Sequence, residues 1–173
     1  MTPAQVRQAM EKAGYHLDPP LKLESFKGEV AARVAEIRHQ SRSSTYDTVA
    51  GMGGKGPSAE QLGVEFKQWP DGPHAVAVRF TGNSQTQSQE AFKAQVEARF
   101  GKPTMHAIGG WRWCSAAEKQ CGPIANPNMP TLDADYQARS LILSIGGDAA
   151  QARKDLVEGE ARKIAPVQNG SAF

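Results

Sequence analysis

The sequence predicts an α+β fold in which helices pack on one face of an antiparallel β-meander sheet. Three observations support this class. Two segments of helical periodicity lie between a capping residue and a glycine, several segments alternate between apolar and polar residues, and the strands come in runs. The chain has 173 residues, of which 39% are hydrophobic, enough for one domain with its own core. We expect a single domain at 1–165, which the order of elements also divides into tandem helix-plus-meander units at 1–82 and 83–165, and a disordered tail at 166–173.

The first helix is predicted at the start of the chain. Thr2 can act as the N-cap, Pro3 occupies the first helical position and Gln5 completes a capping box. The apolar stripe that follows consists of Val6, Ala9, Met10 and Ala13. Gly14 then ends the helix.

Residues 24–38 fit two secondary structures. Four apolar residues recur at helical spacing, namely Phe26, Val30, Val34 and Ile37, while Val30, Ala32 and Val34 also alternate as in a strand. We favour a helix because the intervening residues are good helix formers.

Residues 41–63 are rich in Ser, Thr and Gly and are predicted to form a mobile loop. The glycines at 51–56 invite comparison with phosphate-binding loops. That comparison fails because the G-x-x-x-x-G-K-[ST] spacing is absent and Pro57 removes a backbone donor.

The next elements are a hairpin and a second helix. Residues 64–69 and 74–80 alternate on either side of a Pro-Asp-Gly-Pro turn, which predicts the hairpin. The helix is capped by Ser84 or Ser88 and closed by Gly101. Its apolar face consists of Phe92, Val96 and Phe100.

A strand at 138–145 and a last helix complete the predicted elements. This helix begins at Asp148 and is interrupted by Gly159. Its expected apolar face consists of Ala152, Leu156 and Ile164.

Cys114 and Cys121 are expected to lie on the two arms of another hairpin and to form a disulfide. Two reduced thiols, a zinc site and a redox site are the alternatives; the last two lack the usual ligand and C-x-x-C spacings. A disulfide implies an oxidising compartment, so we expect a periplasmic or secreted protein. The N-terminus has no signal-peptide pattern, which fits a mature segment whose signal was removed or, alternatively, a cytoplasmic protein.

The three tryptophans offer the strongest candidate binding residues. Trp69, Trp111 and Trp113 fall on or beside the hairpins, and the last two share one strand face. They either fill the core between sheet and helices or, together with Arg112, line an exposed aromatic face that anchors a partner.

Other function classes are less well supported. A net charge of +2 without a dense basic block gives no sign of nucleic-acid binding, and the apolar stretches are too short to cross a bilayer. The four histidines are scattered, and no nucleophile motif is present, so we expect no metal and no cofactor.

Two segments carry a resemblance to known proteins. Residues 2–6, which open a short helix, and residues 100–104, which close another before a meander, resemble the helix-plus-sheet units of exported bacterial proteins. The families are the β-lactamase inhibitor protein type and the small outer-membrane assembly lipoprotein type. The resemblance covers 2–146 as an order of elements, and a lipobox cysteine is absent. It implies helix–helix–β-meander units; in the inhibitor family two of these share a concave sheet that grips a partner.

The expected function is therefore that of an exported, non-enzymatic domain that binds another protein. Its contacts are expected on the aromatic sheet face or on the loops at 41–63 and 122–131. The alternatives are a small hydrolase or transferase whose catalytic residues converge from distant segments, and a cytoplasmic regulatory module.

Overall fold

Nine strands form one antiparallel sheet in the computed structural model, which describes residues 1–107, 110–114, 130–144 and 148–165. The helices in these ranges are α1 (Pro3–Lys12), α2 (Phe26–Ile37), α3 (Gln89–Phe100) and α4 (Asp148–Ile164). The strands are β1 (His16–Leu17), β2 (Leu21–Leu23), β3 (Thr48–Lys55), β4 (Gln61–Trp69), β5 (Gly72–Thr81), β6 (Met105–Ala107), β7 (Gly110–Trp113), β8 (Thr131–Asp135) and β9 (Ser140–Ser144). The predicted α+β class with a meander sheet is confirmed.

The two meanders meet in the middle of the sheet. The strand order is β1-β3-β4-β5-β9-β8-β7-β6, and β2 also pairs with β3. The last strand of each meander is central, with Phe80 of β5 opposite Leu141 of β9. One continuous sheet therefore runs through both of the predicted tandem units.

Two helices cover the same face of this sheet. Val6 and Met10 of α1 pack with Met52, Val64 and Phe66 of β3 and β4. The equivalent cluster under α3 consists of Phe92, Val96 and Ala134, with Phe80, Trp113, Tyr136 and Leu141 against it. Because Val78 and Phe80 alternate with outward residues on one strand and belong to the two clusters, both helices lie on one side of the sheet.

The other two helices form a pair that joins the two halves of the chain. Phe26 and Val30 of α2 pack with Ala161 of α4. Arg33 Nε donates to Glu158 Oε2 at 2.5 Å. Arg153 forms an ion pair with Glu29 and donates to the Gln68 carbonyl at 2.6 Å, which ties α4 to α2 and to the end of β4. The hydrophobic core therefore includes residues from both predicted units, 1–82 and 83–165.

The predicted starts and ends of the early helices are confirmed. Thr2 caps α1 in a capping box, and Ser88, rather than Ser84, caps α3. Gly101 closes α3 with φ +78°, a conformation that suits glycine. Residues 26–37 are helical, so the preference for helix at 24–38 was correct. The stripe of α1 is narrower than predicted, since Ala9 and Ala13 are exposed.

The predicted mobile loop at 41–63 is wrong over about half of its length, because β3 and the start of β4 lie within it. Ala50, Met52 and Gly54 alternate as buried residues on the helix-covered face. A Cβ on Gly54 would lie 2.6 Å from the carbonyl oxygen of His16. Glycine is thus required where β1 approaches β3 closely, and the composition that indicated a loop belongs to a strand.

The C-terminal part also differs from the prediction. Strand β8 was missed, and β7 pairs with β6 on one edge and with β8 on the other, so the first cysteine arm is not half of an isolated hairpin. Helix α4 runs through Gly159, and its predicted apolar residues Leu156 and Ile164 are 41% and 55% exposed. The predicted disordered tail at 166–173 and the binding loop at 122–131, apart from its last two residues, lie outside the described residues.

Candidate functional site

The sheet face opposite α1 and α3 presents a row of residues that crosses seven of the nine strands and includes Asp18, which directly follows β1. We call this the central row. Its members, in spatial order, are Asp18, Gly53, Gly63, Arg79, Ile142, Asp133, Arg112 and Met105. Each alternates along its chain segment with residues of the helix-covered face, so the row points away from the helices. In the described part of the chain, none of these residues belongs to a hydrophobic core cluster.

One end of the central row is filled and paired. Arg112 is 6% exposed, and its Nε and Nη2 donate to the two carboxylate oxygens of Asp133 at 2.6 and 3.2 Å. This two-point geometry fixes both side chains across β7 and β8. Arg112, predicted as a binding residue, is therefore held within the sheet.

The other end of the row is nearly empty of side chains. Gly53 and Gly63 are opposite each other on β3 and β4, between Asp18 and Arg79. They form the floor of a hollow of about 400 Å³ whose rim includes Lys55. We call this the glycine hollow; Gln61 and Thr81 also line it. A second hollow of about 520 Å³ continues it toward Leu21.

The two floor glycines are not required by the backbone or by close packing. A Cβ on Gly63 would meet no heavy atom within 4 Å, and one on Gly53 would lie 3.5 Å from the nearest atom, the Leu62 carbonyl oxygen. Neither residue has a positive φ. Gly54, on the opposite face, is the contrasting case because β1 leaves it no room. The fold alone thus accounts for Gly54 and does not account for Gly53 or Gly63.

The charged residues around the glycine hollow are unpaired. Within the described ranges, the side chains of Asp18, Lys55 and Arg79 make no ion pair and no hydrogen bond. Glu65, in the adjoining hollow, is different because it binds Lys67 at 2.7 Å. The rim of the glycine hollow therefore offers two cations and one carboxylate to a ligand.

The tryptophans lie elsewhere. Of the two alternatives given for them, the positions of Trp111 and Trp113 fit the one in which they pack between the sheet and a helix. Trp113 packs under α3, and its Nε1 donates to the Gly101 carbonyl at 3.0 Å. Trp111 stacks on Tyr136 with ring centroids 6.1 Å apart. Both are half-buried and point to the helix-covered face because they alternate with Arg112.

Trp69 ends β4, next to the turn of the first hairpin. Its ring contacts His74 edge-on at 6.4 Å, and its buried Nε1 has no hydrogen-bond partner in the described structure. It is not part of the central row and is separate from the other two tryptophans.

The predicted disulfide falls partly outside the described residues. Cys114 follows β7, and its backbone N–H donates to Thr104 Oγ1 at 3.1 Å. Cys121 is not among the described residues, so the pairing of Cys114 with Cys121 stays a prediction.

Groups with displaced pKa values take part in structural contacts outside the glycine hollow. The hydrogen bond from Arg33, assisted by Arg162, lowers the pKa of Glu158 to about 2. Burial, with Glu97 beside it, raises the pKa of Tyr136 to about 12. Both contacts join secondary-structure elements, the first α2 to α4 and the second α3 to the β8–β9 turn. They stabilise the fold and do not mark a catalytic pair.

No group of three His, Cys, Asp or Glu side chains that could hold a metal is present in the described residues. No helix in these ranges is long and apolar enough to span a membrane.

Comparison of the chain with models of known protein families, with curated proteins and with solved structures gives no match. The resemblance to exported helix-plus-meander proteins stays a prediction, and the glycine hollow is the feature of the described residues that bears most directly on function.

Proposed function

We propose that this chain is a non-enzymatic protein-binding domain that receives a projecting backbone segment of its partner in the glycine hollow. The observation that carries the proposal is the pair Gly53 and Gly63, which leaves a side-chain-free floor without a structural need for glycine. Glycine inside a strand weakens the strand, and it often marks a place where another backbone approaches closely. A partner segment would use this space.

A protein partner also fits the shape of the face. The glycine hollow and the hollow beside it share Asp18, Gly53, Gly63 and Arg79 and together extend across β3, β4 and β5. This open surface suits a loop that lies across several strands. The glycine hollow has charged groups at its rim and no side chains on its floor. Protein interfaces are built in a similar way, with a polar rim around a closely packed centre.

The proposal includes export to the periplasm or to the medium. It is supported by the spacing of Cys114 and Cys121, which suits a short disulfide-closed loop, and by the resemblance to exported families. A thiol titration of protein purified without reductant from its natural host tests this part. Two unreactive sulfurs in denaturant are expected, whereas two titratable thiols would place the domain in a reducing compartment.

The docking surface is tested by site-specific photocrosslinking in the natural host. A benzophenone amino acid replaces Gln61, which lines the glycine hollow, or Gln8, which is exposed on α1. We expect one discrete adduct from position 61 and not from position 8. The adduct is expected to disappear when Gly63→Val fills the floor, and to remain with Gly159→Ala, because Gly159 is an equally open glycine on α4.

Two results would contradict this surface. One is the same set of adducts from positions 61 and 8, which would indicate contact without a preferred face. The other is an unchanged adduct in the Gly63→Val protein, provided that its circular dichroism spectrum matches that of the wild type.

A further inference from the structure

We infer that the partner segment carries a carboxylate side chain, which binds above Gly63 between Arg79 and Lys55. This inference rests on the proposed function and specifies the chemistry that the glycine hollow recognises. It identifies the ligand as an Asp or Glu side chain of a protein loop.

The strand register places the two cations on either side of the open floor. Arg79 is directly opposite Gly63 on the neighbouring strand, and Lys55 is opposite Gln61, two residues from Gly63. From strand spacings, the Cα atoms of Arg79 and Lys55 lie about 5 and about 8 Å from that of Gly63. Both side chains are long enough to reach a group over Gly63, and no other group in the described structure pairs with them.

The charges at the rim favour an acidic ligand over a basic one. Asp18 lies beyond Gly53 on the side away from Arg79, and its carboxylate reaches over that glycine, since Oδ2 would lie 3.7 Å from a Cβ on Gly53. The rim thus carries two cations against this one carboxylate, and its net charge is positive. An arginine fork can donate two parallel hydrogen bonds to a carboxylate, and Gln61 and Thr81 add neutral donors nearby.

The floor explains why a side chain on a backbone segment suits this site. Gly63 projects no side chain, and a Cβ there would meet no heavy atom within 4 Å. A carboxylate on a short side chain can therefore approach the guanidinium of Arg79 while its backbone stays close to the sheet. The central row contains a second arginine, Arg112, but Asp133 already occupies its fork. Arg79 is the arginine of this row that remains open to an external carboxylate.

The inference is tested by a titration of the full chain with capped peptides, followed by two-dimensional amide NMR at low ionic strength. The probes are N-acetylated, C-amidated tetraglutamate, tetraglutamine and tetralysine. We expect tetraglutamate alone to shift the amide signals of Gly53, Gly63 and Thr81. Loss of one charge-assisted contact in Arg79→Gln is expected to weaken binding about tenfold.

Two further variants provide controls for this titration. Asp18→Asn removes a repelling charge and is expected to strengthen tetraglutamate binding about twofold. Lys12→Gln removes a cation from exposed α1 and so changes the net charge as Arg79→Gln does, without touching the hollow. Any of three results would overturn the inference. Lys12→Gln and Arg79→Gln weaken tetraglutamate binding equally, tetralysine shifts the amide signals as much as tetraglutamate does, or millimolar tetraglutamate shifts none of them.

The outcome can be separated from that of the proposed function. If the photocrosslinked adduct from position 61 persists in a protein carrying both Arg79→Gln and Lys55→Gln, docking stands and recognition of a carboxylate is wrong. If no adduct forms from position 61 in the wild-type protein, the docking surface itself is wrong.

Discussion

Replacing Gly63 by alanine is expected to stabilise the protein. The backbone of Gly63 is not in the left-handed region, and a Cβ there would meet no heavy atom within 4 Å. Alanine therefore reduces the freedom of the unfolded chain without strain in the folded one, which is worth about 0.5 to 1 kcal/mol. For a domain of this size, such a change raises the Tm by about 1 to 4 °C.

Thermal and urea unfolding monitored by circular dichroism measure this effect. The matched control is Gly54→Ala, one residue along from Gly53 in β3, where the new Cβ would lie 2.6 Å from the His16 carbonyl oxygen. This overpacking is expected to cost about 1 to 3 kcal/mol, so the two alanine variants move the Tm in opposite directions. A Gly63→Ala protein that unfolds below the wild type would show that its fold needs the glycine, and the proposed docking surface would lose its main support.

Three further predictions concern stability. Asp133→Ala removes the carboxylate that binds the buried Arg112. It is expected to lower the free energy of unfolding, measured with urea, by about 2 to 3 kcal/mol. The pKa of Glu158 is lowered to about 2 by its contact with Arg33, so this contribution to stability is present above the ordinary pKa of about 4.3. This contribution is lost as the pH falls from about 4 to about 2. In Glu158→Gln, the urea concentration at the midpoint of unfolding is therefore expected to change less over that pH range than in the wild type. If the bridge between Cys114 and Cys121 exists, dithiothreitol is expected to lower the free energy of unfolding by about 2 to 3 kcal/mol; a Tm unaffected by dithiothreitol would contradict it.

The helices were predictable because their signals are local. The caps Thr2 and Ser88 and the stop Gly101 depend on a few neighbouring residues, and the structure uses all three. Strand β3 was not predictable in this way, since the close approach of β1 that requires Gly54 joins residues far apart in the chain. Strand β8 was missed for a related reason, because Arg112, the partner that pairs with Asp133 across the sheet, is 21 residues away in the chain.

The candidate site was predictable only in part. Alternation correctly placed Trp111 and Trp113 on one face of a strand. The same alternation puts Arg112 on the opposite face, so the prediction that grouped it with the tryptophans in one surface was wrong. Alternation could not show which face the helices cover, because that depends on how α3 packs Phe92 against strands of both meanders. The predicted aromatic anchors therefore belong to the covered face.

One of the glycines that obscured β3, Gly53, also forms part of the floor of the candidate docking surface. A site formed by missing side chains has no linear motif, and the sequence shows its floor only as Gly53, next to the core residue Met52, and Gly63 on the following strand. This origin has an energetic consequence. A residue that fills the floor supports the strand and blocks the partner, so Gly63→Val is expected to unfold at the same temperature as the wild type or higher, and to lose the crosslinked adduct. A Gly63→Val protein that is at least as stable as the wild type but no longer binds its partner would show that Gly63 serves binding and is not required by the fold.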